Sequence, residues 1–178
     1  MSISTAKCSP CRGRVAGNLF ASLHDQLYYN ATRDRYFETY LTDMRVKVAQ
    51  HLTYAYPDVV VACDDPMFAD ANLDTILNPT LLVEVLSNST QDFDRGSKFE
   101  HYRQLGSLSE YVVVAENRFH VERFIRQDDN GWLLWETNDP ADTIEFKSID
   151  CQVSLAEIYA KVQFDEPTHQ ESAEPGTK

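Results

Sequence analysis

Residues 79–90 read PTLLVEVLSNST. Leu81, Leu82, Val83, Val85 and Leu86 form a short continuous apolar run between a proline and a polar Ser/Asn/Thr cluster. Apolar residues without alternation suit a central strand covered on both faces, so the chain must place layers on either side of a sheet. Glu84 stands in the middle of that run. An ionised carboxylate buried there without compensation is costly. The acid therefore requires a partner, an exposed strand end or a metal ion, and Arg45 or Lys47 on a neighbouring strand would serve as the partner.

The surrounding pattern is that of one α/β or α+β domain, with helices flanking a mixed sheet. Leu19, Phe20, Leu23 and Leu27 fall at helical spacing between Gly17 and Tyr29. RYFETYLTDMRVKVAQ reads as extended, with Met44, Val46 and Val48 on one face and Arg45 and Lys47 on the other, and TYAYPDVVVAC reads as a second strand. After the Glu84 strand, SNSTQDFDRGSKFEHYRQLGS predicts a helix. Ser89 or Thr90 would cap it, Asp92 and Asp94 suit the positive end of its dipole, Phe99, Tyr102 and Leu105 give a buried stripe, and Gly106 stands as its stop. SEYVVVAE is a further apolar strand, RFHVERFIR and GWLLWET pair across QDDNG, and DTIEFKSI is another short strand. Ser154 and Glu157 have the spacing of a capping box before a last short helix.

A chain of 178 residues suits a single domain, since domains run to about 100–200 residues. Residues 1–13 carry no periodicity and residues 165–178 are acidic and polar, which leaves 14–164 as the expected folded unit. MSISTAKCSP lacks an apolar signal core, and no segment reaches the ~18 consecutive apolar residues of a membrane helix. The expectation is a cytoplasmic protein away from membranes, with Cys8, Cys11, Cys63 and Cys151 as thiols. The net charge of −12 counts against tight, nonspecific gripping of a phosphate backbone, although Arg12, Arg14, Arg33, Arg35, Arg45 and Lys47 gather in the first 50 residues.

Two acids on neighbouring strands carry the chemistry. Asp58 opens YPDVVV and Glu84 sits in LLVEVL. Carboxylates converging on one edge of a sheet can ligate Mg²⁺, a hard ion that takes oxygen donors, and such an ion offsets the burial of Glu84. Hydrolysis of a phosphodiester also profits from a cation near the attacking water, and Lys98 on the following helix is the candidate. The plainer readings are that Asp58 bonds local amides and that Lys98 pairs with Asp94 four residues earlier. Other candidates carry less. Cys8 and Cys11 make one C-x-x-C pair, short of the four ligands of a structural zinc site. His101 and His120 are lone histidines, read as surface or packing residues. Ser87 and Ser89 lack a G-x-S-x-G elbow and read as caps, Tyr56 and Tyr102 read as packing, and no glycine-rich phosphate loop occurs.

YPDVVVACDDP followed by PTLLVEVLSNSTQDFDRGSKFEHYRQLGSLSEYVVV resembles the Uma-two family, assigned to restriction endonucleases of the PD-(D/E)XK nuclease superfamily. The likeness runs from about Arg14 to Phe164. It implies a restriction-endonuclease-like core, a metal-dependent endonuclease acting on DNA, Asp58 and Glu84 as ligands of Mg²⁺ or Mn²⁺, and the backbone carbonyl of Val85 as a third ligand. It also implies that Lys98, on the helix, takes the role of the lysine that most superfamily members carry two residues after the glutamate, where this chain has Leu86. A further acid that family members carry near the N-terminus has no clear counterpart, with Asp25 and Glu38 the residues in that region. A two-fold dimer would suit double-strand cleavage. The other reading is a catalytically silent nuclease fold that serves as a binding or regulatory module.

Overall fold

The computed structural model describes residues 18–19, 21–27, 37–41, 43–48, 54–63, 65–86 and 91–164, without the side chains of 91–95. The helix expected near the start is present as α1 over 21–27, with Leu19, Leu23 and Leu27 all buried. Among the described residues eleven strands follow in chain order: β1 Phe37–Leu41, β2 Arg45–Lys47, β3 Tyr54–Ala55, β4 Val59–Cys63, β5 Thr75–Ile76, β6 Leu81–Leu86, β7 Glu110–Ala115, β8 Val121–Arg126, β9 Trp132–Thr137, β10 Thr143–Phe146 and β11 Cys151–Ser154. Helix α2 spans Gln91–Tyr102 and α3 spans Leu155–Ile158.

The main sheet has the order β1-β4-β6-β7-β8-β9. Only β6 and β7 run parallel; the other neighbouring pairs are antiparallel. A parallel pair needs a crossover, and α2 supplies it. β6 lies between β4 and β7, and its burial accounts for the unbroken apolar run Leu81–Val83. The sheet is the α/β mixed sheet expected from the sequence.

Its two faces carry separate apolar layers. Val59, Val61, Leu81, Val83, Val112 and Val114 face α1, the β10–β11 hairpin and α3. Val60, Ala62, Leu82, Leu86, Tyr111 and Val113 face α2 and the small three-stranded sheet β3-β2-β5. Strand alternation sorts the residues, because neighbours in a strand point to opposite faces.

Several boundaries differ from the sequence reading. The extended stretch through Met44 is two strands, because Asp43 and Met44 turn back on the Leu41 carbonyl and send β2 into the small sheet. The TYAYPDVVVAC stretch is likewise divided, with β3 in the small sheet and β4 in the large one. Both divisions depend on distant partners, β2 being completed by the parallel strand β5. Gly106 is not a left-handed stop, since no described glycine has positive φ. Past Tyr102 the chain makes further turns whose carbonyls are met by Arg126 from β8: Nε donates to Leu108 at 2.7 Å, and Nη2 to Leu105 at 2.7 Å and Arg103 at 2.9 Å. The guanidinium also lies 4.6 Å from the centre of the Trp132 ring. The proposed caps Ser89 and Thr90 and the side chains of Asp92 and Asp94 fall outside the described residues. The β8–β9 hairpin forms as expected, with Asn130 at φ 61 in its turn, a conformation asparagine tolerates well. The capping box is complete, Ser154 Oγ accepting from the Glu157 N–H at 3.2 Å and the Glu157 carboxylate accepting from the Ser154 N–H at 2.8 Å.

Candidate active site

Asp58 immediately precedes β4, and its N–H donates to the Val83 carbonyl at 3.1 Å. Val59 pairs with Val83 in an antiparallel register, so residue 58 stands across from residue 84. Both residues share the parity of Val60 and Leu82, which places both carboxylates on the α2 face. Asp58 is fully buried and Glu84 is 2% exposed.

Each carboxylate has identified partners. Asp58 Oδ2 accepts from the Val85 N–H at 2.7 Å. Lys98 Nζ lies 3.0 Å from Glu84 Oε2, and the Tyr102 hydroxyl donates to Glu84 Oε1 at 2.7 Å. The Lys98 ammonium and the buried tyrosine hydroxyl therefore answer the question raised by an acid in an apolar strand. Arg45 does not serve; it pairs with Asp74 at 2.6 Å and lies over the Tyr54 ring in the small sheet. That hydrogen bond and charge raise the Arg45 pKa and lower that of Asp74. The alternative Lys98–Asp94 pairing rests on a side chain outside the described residues.

The Val85 carbonyl takes its direction from the strand. The Val83 carbonyl points toward β4, where it meets Asp58, and the Leu86 carbonyl points toward β7, where it meets Glu116 N–H at 3.1 Å. Carbonyls alternate between the two edges of a strand, so that of Val85 faces the β4 edge, beside Asp58. Two carboxylates and a carbonyl on that edge are all oxygen donors, the set that Mg²⁺ and Mn²⁺ accept, so the residues present fit such an ion. A cleft of about 360 Å³ opens beside Lys98 and Tyr102, bordered by Tyr54, Tyr56 and His101.

Neither stand-in for the additional N-terminal acid joins this pair. Asp25 lies on α1, the helix on the opposite face of the sheet, and its Oδ2 pairs with Lys161 at 2.7 Å in an exposed position. Glu38 is paired with Ala62, four residues along β4 from Asp58, or about 13 Å at strand rise, and it accepts from the Tyr40 hydroxyl.

Three features were not legible as such in the sequence. Tyr102, read as packing, is buried and also holds Glu84; its i,i+4 spacing from Lys98 is the one local signal that both reach the same acid. Glu110, in what reads as an apolar strand, is buried with Arg123 at 3.8 Å. His120, read as a lone histidine, lies with Glu122 and Glu136, their donor atoms all within 4.8 Å of one another. Of the cysteines, Cys151 is buried and Cys63 partly so, with Cys63 Sγ donating to the Ser148 carbonyl at 3.7 Å, whereas Cys8 and Cys11 lie outside the described residues.

The sequence profile of the Uma2 family, described as "Putative restriction endonuclease", matches residues 7–156. The chain belongs to the Uma2 family. This chain is 36% identical over 130 residues to the uncharacterized protein sll1609 of Synechocystis sp. (strain ATCC 27184 / PCC 6803 / Kazusa), covering 69% of this chain and 73% of that protein. The uncharacterized protein slr1290 of the same organism is 32% identical over 123 residues, covering 69% of this chain and 63% of its own length. A crystal structure described as "a putative nuclease belonging to DUF820" from Anabaena variabilis ATCC 29413 superposes with a TM-score of 0.69. That match covers 85% of this chain and 83% of the other at 13% identity, a likeness of fold. The fold of this Uma2 chain is therefore the restriction-endonuclease-like one expected from its sequence. Among the described residues, no helix is long and apolar enough to cross a membrane.

Proposed function

We propose that this protein is a metal-dependent endonuclease that hydrolyses phosphodiester bonds of DNA. The observation that carries this reading is the pairing of buried Asp58 and Glu84 across adjacent strands, with Lys98 drawn in to 3.0 Å. Family membership supports it independently.

In this reading Asp58, Glu84 and the Val85 carbonyl hold Mg²⁺ or Mn²⁺. The bound ion supplies Lewis acidity toward the attacking water and the phosphate oxygens. The Val85 N–H orients the Asp58 carboxylate, and Tyr102 fixes one oxygen of Glu84. Lys98 brings a positive charge to the site, where it stabilises charge developing on the phosphate and helps position the water. The ammonium is one-third exposed, so it reaches both the buried acid and the cleft. A homodimer acting in the cytoplasm, with one site per strand, would produce double-strand breaks.

One observation favours the other reading, a catalytically silent binding or regulatory module. Both oxygens of Glu84 already have protein partners, so the acid is accommodated without an ion. Plasmid nicking and linearisation with Mn²⁺ or Mg²⁺ separates the two. The parent protein should cut, and Asp58→Ala and Glu84→Ala should lose at least about a hundredfold in rate, as expected when an electrostatic group of the reaction is removed. Folding of the variants is checked by circular dichroism. Failure of the parent to cut single- or double-stranded DNA with either ion favours the silent module, and cutting by Glu84→Ala at the parental rate removes Glu84 from the site.

A further inference from the structure

Away from Asp58 and Glu84, a second group of side chains has the chemistry of a ligand set. Glu122 and Glu136 are direct cross-strand partners in the β8–β9 ladder. His120 lies two residues before Glu122 and so shares its face. Its Nε2 stands 3.0 Å from Glu122 Oε1. The Glu122 side chain is 9% exposed and that of His120 is 16% exposed, whereas Glu136 is open to solvent.

Two glutamates directly opposite one another in an antiparallel pair repel, and burying one of them adds a desolvation cost. The His120 imidazole sets a nitrogen donor beside both carboxylates, the three donor atoms lying within 4.8 Å of one another. A dication balances both. The position of His120 is held from behind: its N–H donates to the Tyr159 hydroxyl at 3.2 Å, and that hydroxyl is 2.9 Å from the His120 carbonyl and 2.7 Å from that of Ala115.

We propose that His120, Glu122 and Glu136 bind a first-row transition-metal dication of the Zn²⁺ type that clips β8 to β9. One imidazole nitrogen with two carboxylates suits such an ion, whereas Mg²⁺ and Ca²⁺ take oxygen donors. Three protein donors leave a fourth tetrahedral position to solvent on the open Glu136 side. The site is separate from the candidate nuclease centre. Glu84 pairs with Val113, and Val113 with Glu122, so the two acids share one row of one face but stand two strand spacings apart, about 9.6 Å. Two-metal phosphodiester centres place their ions about 4 Å apart, so this ion would not be the partner of one held by Glu84.

The test is a ZnCl₂ titration of the metal-stripped full chain by calorimetry, alongside its thermal unfolding. Cys8→Ser/Cys11→Ser/Asp58→Asn/Glu84→Gln is the background, which removes the C-x-x-C pair and the two acids of the candidate nuclease centre. The expected result is one Zn²⁺ bound in that background, with a rise in Tm on binding. His120→Ala and Glu136→Gln should each weaken binding at least about tenfold and abolish the rise in Tm. Because Glu136 is exposed, its variant keeps the fold even if His120→Ala does not. No zinc binding in the background, or binding that both variants retain, overturns the site. Neither outcome bears on DNA cleavage.

Discussion

Glu84 and Lys98 are unequal partners, and their inequality has measurable consequences. The acid is 2% exposed and the ammonium 33%. Remove Glu84 and Lys98 regains water from the cleft side, while the Tyr102 hydroxyl loses one acceptor. Remove Lys98 and a buried carboxylate keeps only Tyr102 of these two contacts. A charge left buried without its counter-ion typically costs ~3–5 kcal/mol. Lys98→Ala should therefore lower unfolding free energy by about 3 kcal/mol, the lower end of that range because the lysine is partly hydrated. Glu84→Ala should cost distinctly less than Lys98→Ala. Urea unfolding of the two variants side by side checks the order, and a larger loss in Glu84→Ala would mean that the pair is not what holds the acid in its strand. Glu110 and Arg123 on the opposite face are both buried, so they lack this asymmetry.

At the scale of elements, α2 is held at its C-terminal side by a residue far away in sequence. The Arg126 guanidinium meets carbonyls of Arg103, Leu105 and Leu108 and stacks on Trp132, while Phe99 of α2 packs 4.4 Å from Phe124 and 5.2 Å from Trp132, ring centre to ring centre. The β8–β9 hairpin and the helix that carries Lys98 are thus one packed unit. Hydrogen bonds to a charged group contribute about 1.5–3 kcal/mol each, with losses that do not simply add. Arg126→Met, which keeps the aliphatic stem, should lower stability by about 3 kcal/mol in denaturant unfolding. It should also speed hydrogen exchange in the 103–108 turns more than in β6. Equal effects at both places would show that Arg126 acts on the whole fold instead of on this end of the helix.

For the whole molecule, the net charge of −12 is opposite in sign to the basic footprint usual in proteins that grip a phosphate backbone. A binder that neutralises many phosphates loses about a thousandfold or more in affinity between 50 and 200 mM salt, by counterion release. A chain with net charge −12 repels the phosphate backbone at long range, and salt screens that repulsion over about 10 Å at 0.1 M. If the protein cuts DNA, its KM for an oligonucleotide should change less than about tenfold across that salt range. A steep rise in KM would reveal a concentrated basic face, and the first 50 residues, with Arg12, Arg14, Arg33, Arg35, Arg45 and Lys47, would be the place to look for it.

What the sequence alone determined was local: where β6 and β7 lie, through their largely apolar runs; the α1 stripe; the capping box at Ser154; and the β8–β9 hairpin around its asparagine turn. Each is set by residues within a few positions of one another, and the PD…EVL pattern added the family by resemblance. Tertiary structure decided which side chains meet. Tyr102 joins Lys98 on Glu84 because the crossover lays α2 over that face, and His120 joins Glu136 because the hairpin register puts residue 136 opposite residue 122. β2 and β3 left the expected strands for a small sheet because β5, two residues long, pairs with β2 from some 30 positions away. Such pairings follow from burial of whole faces, and the alternation within one segment, as at Met44, Val46 and Val48, does not say which distant segment covers it.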